Sequence, residues 1–295
     1  MRTTRADLSL ALLLLALPAA ALAAEPRVRR DVPYAEPKSA RRMLDVYSPA
    51  EGKGHPIVVW VHGGGWKAGD KGAVQKKPQA FTTRSYVFVS TTYRFVPDVK
   101  VKAMAGDVAR AIRWCRDHAA EIGGDPDRVV VMGHSAGAHL AALVCTDDAY
   151  LKAEGMPLSA VKACVPVDVS VYDIPKRLAD GGSVAPATFT ATFGESAEAQ
   201  RDLSPAAHVA KGKDIPPFLI LHVADRADTK AQSHWFAGRL TAAGVPATVV
   251  AAEGKTHGTI GSDLGVDGDG PTRAVFEFLE NAVGKRLPPA PDPAK

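Results

Sequence analysis

Apolar residues follow two patterns along the chain, and the two patterns alternate. Short continuous runs of β-branched, aromatic and aliphatic residues are typical of strands that are buried on both faces. Longer stretches with apolar residues three and four positions apart are typical of amphipathic helices. The runs predict strands at 42–47, 56–61, 86–93, 129–132, 161–167, 218–223 and 247–251, and the periodic stretches predict helices at 104–120, 230–243 and 272–283. This alternation predicts an α/β fold with a mostly parallel sheet and helices on both faces.

One stretch, residues 129–143, combines a strand, a sharp turn and a helix. Apolar residues run directly into Gly133-His134-Ser135-Ala136-Gly137, and an alanine-rich helical pattern follows. Glycines on both sides of Ser135 permit a strained turn that would lift its hydroxyl clear of the sheet. The stretch therefore predicts a nucleophile elbow, although G-x-S-x-G alone also occurs by chance.

The remaining segments set the expected domain boundaries. Residues 25–40 are basic and contain proline, which predicts an extended lead-in to a hydrolase domain at 41–285. Residues 169–214 are rich in Ser, Ala, Pro and Gly, and we interpret them as a lid over the site, with an ordinary surface excursion as the alternative. The proline-rich tail at 286–295 is expected to be disordered.

The N-terminus has the features of a secretory signal peptide. Arg2 and Arg5 precede an apolar run at 8–17, and the small residues at 21–23 offer a cleavage site. An uncleaved anchor is the alternative, but a spanning helix needs about 20 apolar residues. We therefore expect residues 1–24 to be removed and the chain to be exported, periplasmic or secreted, without a stable membrane anchor.

Composition narrows the possible functions. The chain has 295 residues, 46% of them hydrophobic, and a formal charge of +4, which is too small a bias to indicate nucleic-acid binding. The three cysteines, Cys115, Cys145 and Cys164, have no metal-ligand spacing and lie in apolar surroundings. We expect them to be small buried residues, and we expect neither a metal nor a cofactor.

Two further side chains are needed to activate Ser135, and chain order indicates where to find them. In an α/β-hydrolase the acid follows a strand after the nucleophile, and the histidine follows the last strand. His257 follows the last predicted strand, and Asp225 is the first acid after the strand at 218–223. The sequence therefore predicts a Ser135–His257–Asp225 triad, with Asp228 as the runner-up acid. Asp168 and Asp173, which follow the previous strand, also compete.

The other histidines have weaker claims to the role of base. His134 and His139 flank the nucleophile, His222 lies inside a strand, and His234 lies in a helical stretch beside aromatic residues. A histidine in such a position is more often structural than catalytic.

A glycine cluster follows the strand at 56–61. Acyl transfer places negative charge on a carbonyl oxygen, which backbone N–H groups can stabilise, and glycines allow close approach. His62-Gly63-Gly64-Gly65 lies where such a contribution is expected, and the N–H of Ala136 would complete the oxyanion hole. Trp66, the next residue, is a candidate for the wall of the substrate pocket.

Together these stretches resemble the α/β-hydrolases of the esterase and lipase superfamily that carry an H-G-G-G motif. The likeness is strongest to small carboxylesterases, including feruloyl and acetyl-xylan esterases and kynurenine-formamidase-like enzymes. It rests on H-G-G-G-W-K-A-G-D-K from His62, the elbow region from Gly124, D-L-S-P-A from Asp202 and G-K-T-H-G-T from Gly254, and Y-R-x-x-P appears at 93–97. The resemblance implies an oxyanion hole formed by Gly64, Gly65 and Ala136. The acid loop departs from the family's H-G-x-x-D and reads H-V-A-D-R-A-D from His222.

The expected function is that of a serine carboxylic-ester hydrolase acting through an acyl-enzyme on small or medium acyl or aryl esters. An arylformamidase or other amidase with the same triad is the nearest alternative. A non-catalytic binding protein on this fold is the alternative from another class. The expected partner is a small-molecule ester, and neither acyl specificity nor oligomeric state can be read from the sequence.

Overall fold

A computed structural model describes residues 25–181 and 186–284. The predicted signal peptide at 1–24 and the predicted tail at 286–295 lie outside these ranges and stay predictions. Within the described ranges, no helix is both long enough and apolar enough to cross a bilayer.

Within the described residues, eight strands form one sheet in the order β1-β2-β4-β3-β5-β6-β7-β8. Strand β2 runs antiparallel to both β1 and β4, and the strands β4, β3, β5, β6, β7 and β8 are parallel to one another. The strands are β1 (Arg27–Pro33), β2 (Met43–Ser48), β3 (His55–Val61), β4 (Val87–Thr91), β5 (Gly124–His134), β6 (Val161–Val167), β7 (Phe218–Val223) and β8 (Ala247–Ala252). The mostly parallel α/β fold expected from the sequence is confirmed.

The central strands are largely apolar because helices cover both faces of the sheet. All seven residues of β3 are buried, and Val59 pairs with Val89 of β4 on one side and Val131 of β5 on the other. The helices are α1 (Lys77–Thr82), α2 (Val101–Asp117), α3 (Ala136–Thr146), α4 (Asp148–Ala153), α5 (Ile174–Asp180), α6 (Pro186–Phe193), α7 (Ala197–Asp202), α8 (Ala227–Ala242), α9 (Thr259–Ser262) and α10 (Gly270–Val283).

The core of the described chain consists of two apolar clusters, one on each face of the sheet. Helices α2, α3 and α8 pack on one face, where Met104, Val108 and Ile112 of α2 are fully buried. Helices α1 and α10 pack on the other face, where Phe81 contacts Phe276 with ring centroids 4.8 Å apart. The three cysteines are buried and unpaired, as expected, and burial raises the pKa of the Cys115 thiol.

Two segments gain structure that their sequences did not specify. The lead-in contributes β1, a charged and largely exposed edge strand that exists because it pairs with β2. The segment 169–214, described except for 182–185, folds into α5, α6, α7 and a short 3₁₀ turn at Pro205–His208. Its interpretation as a lid stays a prediction.

Candidate active site

Ser135 occupies the turn between β5 and α3 in a strained conformation. Its φ and ψ are 55° and −123°, a combination that residues other than glycine rarely adopt. The backbone N–H of Ser135 donates to the carbonyl of Val167 at 2.9 Å and so ties the turn to the end of β6. The strained elbow expected from the sequence is therefore present.

The two glycines around the turn are required by close backbone contacts. A Cβ atom on Gly133 would lie 2.3 Å from the carbonyl oxygen of Gly137. A Cβ atom on Gly137 would lie 2.1 Å from the carbonyl oxygen of Val61, at the end of β3. Any side chain at either position would push α3 away from the sheet and displace Ser135.

His257 links Ser135 to a buried acid. It lies in the loop between β8 and α9, with Nε2 2.9 Å from Ser135 Oγ and Nδ1 2.6 Å from Asp168 Oδ2. An ionised carboxylate can only accept, so Nδ1 carries the ring proton and donates it to Asp168. Nε2 is then free to accept the proton of the Ser135 hydroxyl.

Asp168 directly follows β6 and is completely buried. Its carboxylate also accepts hydrogen bonds from the backbone N–H of Val223, at 3.0 Å, and from Arg226 Nη1. Burial disfavours ionisation, but the bonds from His257 and Val223 and the charge of Arg226 outweigh it, so the pKa of Asp168 lies well below its usual range. Arg226 Nη1 and His257 Nδ1 lie 2.7 Å apart because both donate to the same oxygen, Asp168 Oδ2.

The structure corrects the acid predicted from the sequence. Asp225 is exposed, and Asp228 lies 3.4 Å from Arg177 instead of facing the imidazole. Counted from His222, the acid of an H-G-x-x-D loop would stand at position 226, which is Arg226 in this chain. Strands β6 and β7 are neighbours, so a carboxylate at the end of either strand can reach the same histidine. The order of residues along the chain could not show which of the two acids does so.

His134 has a supporting role that the sequence did not reveal. Its Nε2 donates to the backbone carbonyl of His257 at 2.7 Å, and the two rings lie 4.7 Å apart. Burial, with a contribution from the nearby His257, lowers the pKa of His134 to about 4. The neutral ring therefore fixes the loop that carries His257.

The glycine loop after β3 lies against Ser135. Gly64 and Gly65 have φ values of 127° and 60°, and both line a cavity of about 420 Å³ that Ser135 and His257 also line. Across 25–181 and 186–284, the N–H groups of Gly64, Gly65 and Ala136 donate to no protein acceptor. Gly64 and Gly65 line the cavity, so their N–H groups are available to a ligand there, and Ala136 directly follows Ser135 in the chain.

Trp66 does not line the catalytic cavity, although the sequence suggested it for the wall of the substrate pocket. It is only 8% exposed, its indole N–H donates to His139 Nδ1 at 3.3 Å, and its ring meets Phe193 edge-on at 4.9 Å. The residues that line the catalytic cavity include Trp60 but not Trp66. Trp66 therefore joins the glycine loop to α3 and α6 behind the cavity.

The donor set of the site suits acyl transfer more than metal binding. Over the part of the chain that the structure describes, no group of three or more His, Cys, Asp or Glu side chains could hold a metal ion. What the cavity offers is a hydroxyl, an imidazole and backbone N–H groups.

Comparison with known proteins places the chain among esterases. The BD-FAE family model matches residues 44–240, more than half of the chain. The probable isoprenylcysteine alpha-carbonyl methylesterase ICMEL1 of Arabidopsis thaliana is 30% identical over 79% of this chain and 51% of its own length. Esterase LipQ of Mycobacterium tuberculosis is 30% identical over 87% of this chain and 63% of its own length. The chain thus spans between half and two thirds of these curated relatives.

Solved structures support the same assignment. Esterase Est2 of the planctomycete Thermogutta terrifontis, in its butyrate-bound form, is 26% identical with a TM-score of 0.69 and covers 89% of this chain and 96% of its own. A truncated carbohydrate esterase from gut microbiota shares the fold with a TM-score of 0.74 at 23% identity, covering 88% and 97% of the two chains. The chain is therefore a member of BD-FAE, a carboxylesterase family with the α/β-hydrolase fold.

Proposed function

We propose that this protein hydrolyses carboxylic esters through an acyl-enzyme on Ser135. The observation that carries the proposal is the position of His257 between Ser135 Oγ, at 2.9 Å, and Asp168 Oδ2, at 2.6 Å. A hydroxyl is a weak nucleophile until a base takes its proton, and this geometry provides that base with its ring held in the required tautomer.

The steps follow from the contacts. Ser135 Oγ attacks the ester carbonyl while His257 Nε2 takes the hydroxyl proton, and Asp168 stabilises the resulting imidazolium. His257 then returns the proton to the departing alcohol, leaving the acyl group on Ser135. A water molecule, deprotonated by the same imidazole, attacks the acyl-enzyme; the bond between the acyl carbon and Ser135 Oγ breaks, the acid leaves, and His257 returns the proton to Oγ. No step needs a metal or an organic cofactor.

The free N–H groups of Gly64, Gly65 and Ala136 support the charged step of this reaction. Negative charge develops on the carbonyl oxygen during each attack, and pre-oriented donors stabilise it without reorganisation. The left-handed conformations of Gly64 and Gly65 leave both N–H groups without a protein acceptor at the cavity wall.

The cavity favours small substrates. Its volume is about 420 Å³, and apart from Trp60 and Ala73 its walls consist of glycines and polar side chains. Ligand pockets span roughly 300–1,000 Å³, so a cavity of this size has little room for a long acyl chain. The butyrate found in the Thermogutta terrifontis esterase is of the same small size class. We therefore place short acyl esters first among the candidate substrates.

A fluorophosphonate probe and a short ester test this function directly. We expect wild-type protein to be labelled and to hydrolyse 4-nitrophenyl acetate, and the Ser135→Ala variant to do neither. Ser262, another serine that lines the cavity, supplies the matched control, and Ser262→Ala should still be labelled. Absence of labelling in the wild type, or labelling that survives Ser135→Ala, would contradict the proposal.

We further propose that the chain is exported, on the strength of the composition of residues 1–24. Fractionation of expressing cells should find the full chain outside the cytoplasm with residues 1–24 removed. A chain lacking these residues should stay inside, and equal distribution of the two would contradict export.

A further inference from the structure

Lys77 is a fully buried lysine in the wall of the catalytic cavity. It begins α1 and has a relative exposure of 0%, yet it lines the same cavity as Ser135, His257 and the glycine loop. Lysine is almost never completely buried unless its charge is paired. Its position beside the nucleophile therefore requires an explanation.

The partners of Lys77 within the protein are all neutral. Its ammonium donates to the carbonyl of Gly261 at 2.7 Å and to Gln75 Oε1 at 3.2 Å, and it lies 4.8 Å from the centroid of the Trp60 ring. Among the residues described, no carboxylate forms an ion pair with it. Asp263 acts on it only from a distance and is itself paired with Lys255 at 2.8 Å.

These two contacts use two of the three protons of the ammonium. Next to it, the indole N–H of Trp60 is buried without a hydrogen-bond acceptor, and Trp60 lines the same cavity. This wall of the cavity thus carries a buried positive charge and an unpaired donor. A bound group with negative charge would supply the counter-charge that the ammonium lacks.

The rest of the cavity is compatible with a small charged ligand. Asp70, the only carboxylate of its lining, is exposed and accepts from the backbone N–H of Gly72 at 2.7 Å, which places it at the solvent side. A buried cation attracts an anion more strongly than an exposed carboxylate repels it, because water screens the exposed charge.

We propose that the preferred substrates are short esters that carry a carboxylate, and that Lys77 binds this carboxylate inside the catalytic cavity. The proposal rests on the ester-hydrolase function given above and names the substrate class of the same site. Lys77 is then a specificity-determining residue, while the bond-breaking steps remain with Ser135 and His257.

Matched pairs of esters test the proposal on both sides of the scissile bond. Monoethyl succinate and its neutral amide counterpart ethyl succinamate place the group on the acyl side. The esters 4-acetoxybenzoate and 4-acetoxybenzamide place it on the alcohol side. Wild-type protein should show a kcat/KM at least about tenfold higher for the carboxylate member of one pair, as expected for a charged hydrogen bond.

The variant Lys77→Met keeps an unbranched side chain, one atom shorter, and removes the charge. We expect it to abolish the preference, with the loss appearing mainly as a higher KM for the carboxylate ester. Lys76→Met, which changes the exposed neighbouring lysine, should keep the preference. If Lys77 served only to hold the Gly261 carbonyl, Lys77→Met would lower kcat/KM for both members equally, and the proposal would be overturned.

The outcomes separate this proposal from the function on which it rests. If no ester is hydrolysed in a Ser135-dependent way, the enzyme assignment fails. If both members of each pair are hydrolysed equally well by wild-type protein, the enzyme assignment stands and the carboxylate site fails. Calorimetric titration of the Ser135→Ala variant with 4-acetoxybenzoate gives a readout without turnover, and binding should be lost in Ser135→Ala/Lys77→Met.

Discussion

Arg226 donates to the carboxylate of Asp168. In the chain it stands where an H-G-x-x-D loop would have its aspartate. Its Nη1 donates to Asp168 Oδ2, the same oxygen that accepts from His257 at 2.6 Å. Position 226 is the fourth after His222, where an H-G-x-x-D loop has its aspartate. The acid at the end of β6 and the arginine at the end of β7 therefore form one unit behind the imidazole.

The acid assignment predicts unequal effects of two similar substitutions. Asp168→Asn should lower kcat roughly 10³- to 10⁴-fold, because an amide cannot stabilise the imidazolium and favours the wrong ring tautomer. Asp225→Asn changes an exposed acid that precedes Arg226 in the chain, and it should have little effect on kcat. Steady-state hydrolysis of 4-nitrophenyl acetate measures both. A larger loss in Asp225→Asn than in Asp168→Asn would restore the acid first predicted from the sequence.

Arg226 should influence the pH dependence more than the maximum rate. Arg226→Met removes a positive charge that helps to lower the pKa of Asp168, so this carboxylate becomes easier to protonate and the acid limb of the pH profile of kcat/KM should move to higher pH. Lys230→Met, at an exposed lysine one helical turn further along α8, is the control and should leave the profile in place. A profile unchanged by Arg226→Met would show that the guanidinium has no electrostatic role.

The elbow glycines should be intolerant of a single methyl group. Gly133→Ala and Gly137→Ala each place a Cβ within 2.3 Å of backbone oxygen, so we expect the free energy of unfolding to fall by about 3 kcal/mol or more. Gly106 in α2 and Gly238 in α8 have nothing within 4 Å of an added Cβ. Alanine there should raise stability by up to about 1 kcal/mol through helix propensity. Urea denaturation of the four variants gives the comparison.

The two oxyanion-loop glycines should differ from each other. A Cβ on Gly64 would lie 2.0 Å from the carbonyl oxygen of Ala68, whereas a Cβ on Gly65 meets nothing within 4 Å. Gly64→Ala should therefore displace the loop and reduce kcat roughly 10²-fold, the effect of losing one oxyanion donor. Gly65→Ala keeps its N–H and should retain most of the activity. Equal losses in the two variants would contradict this distinction.

The preference for carboxylate esters should depend on pH through Lys77. Burial lowers the pKa of Lys77 to about 8, with Asp263 opposing it from a distance. His134, on which the Lys77 charge acts, has a pKa of about 4 and stays neutral over this range, while Gln75, Gly261 and Trp60 do not titrate. Only the protonated amine attracts an anion, so the ratio of kcat/KM for 4-acetoxybenzoate over 4-acetoxybenzamide should be high at pH 7 and fall as pH rises through about 8. A ratio constant between pH 6.5 and 9.5 would contradict it.

Local sequence was sufficient to predict strands β2 to β8 and helices α2, α3, α8 and α10. Continuous apolar runs identified β3, β6 and β7 because a strand buried on both faces has few polar positions. The elbow was equally local, since the turn needs glycine on both sides of Ser135 and a strand and a helix beside it. Chain order identified His257, because it lies in the loop that follows the last predicted strand.

Only the tertiary structure decided three features: which acid contacts His257, where Trp66 lies, and what surrounds Lys77. Asp168 and Asp225 follow adjacent parallel strands, and which carboxylate reaches His257 depends on backbone conformation and on Arg226, a contact across 58 residues. Lys77 meets Gly261 across 184 residues, and no local pattern marks a lysine as buried. The sequence by itself determined strands β2 to β8, helices α2, α3, α8 and α10 and the elbow serine, because these depend on neighbours along the chain. The acid and the charge lining the cavity depend on which strand ends and loops pack together.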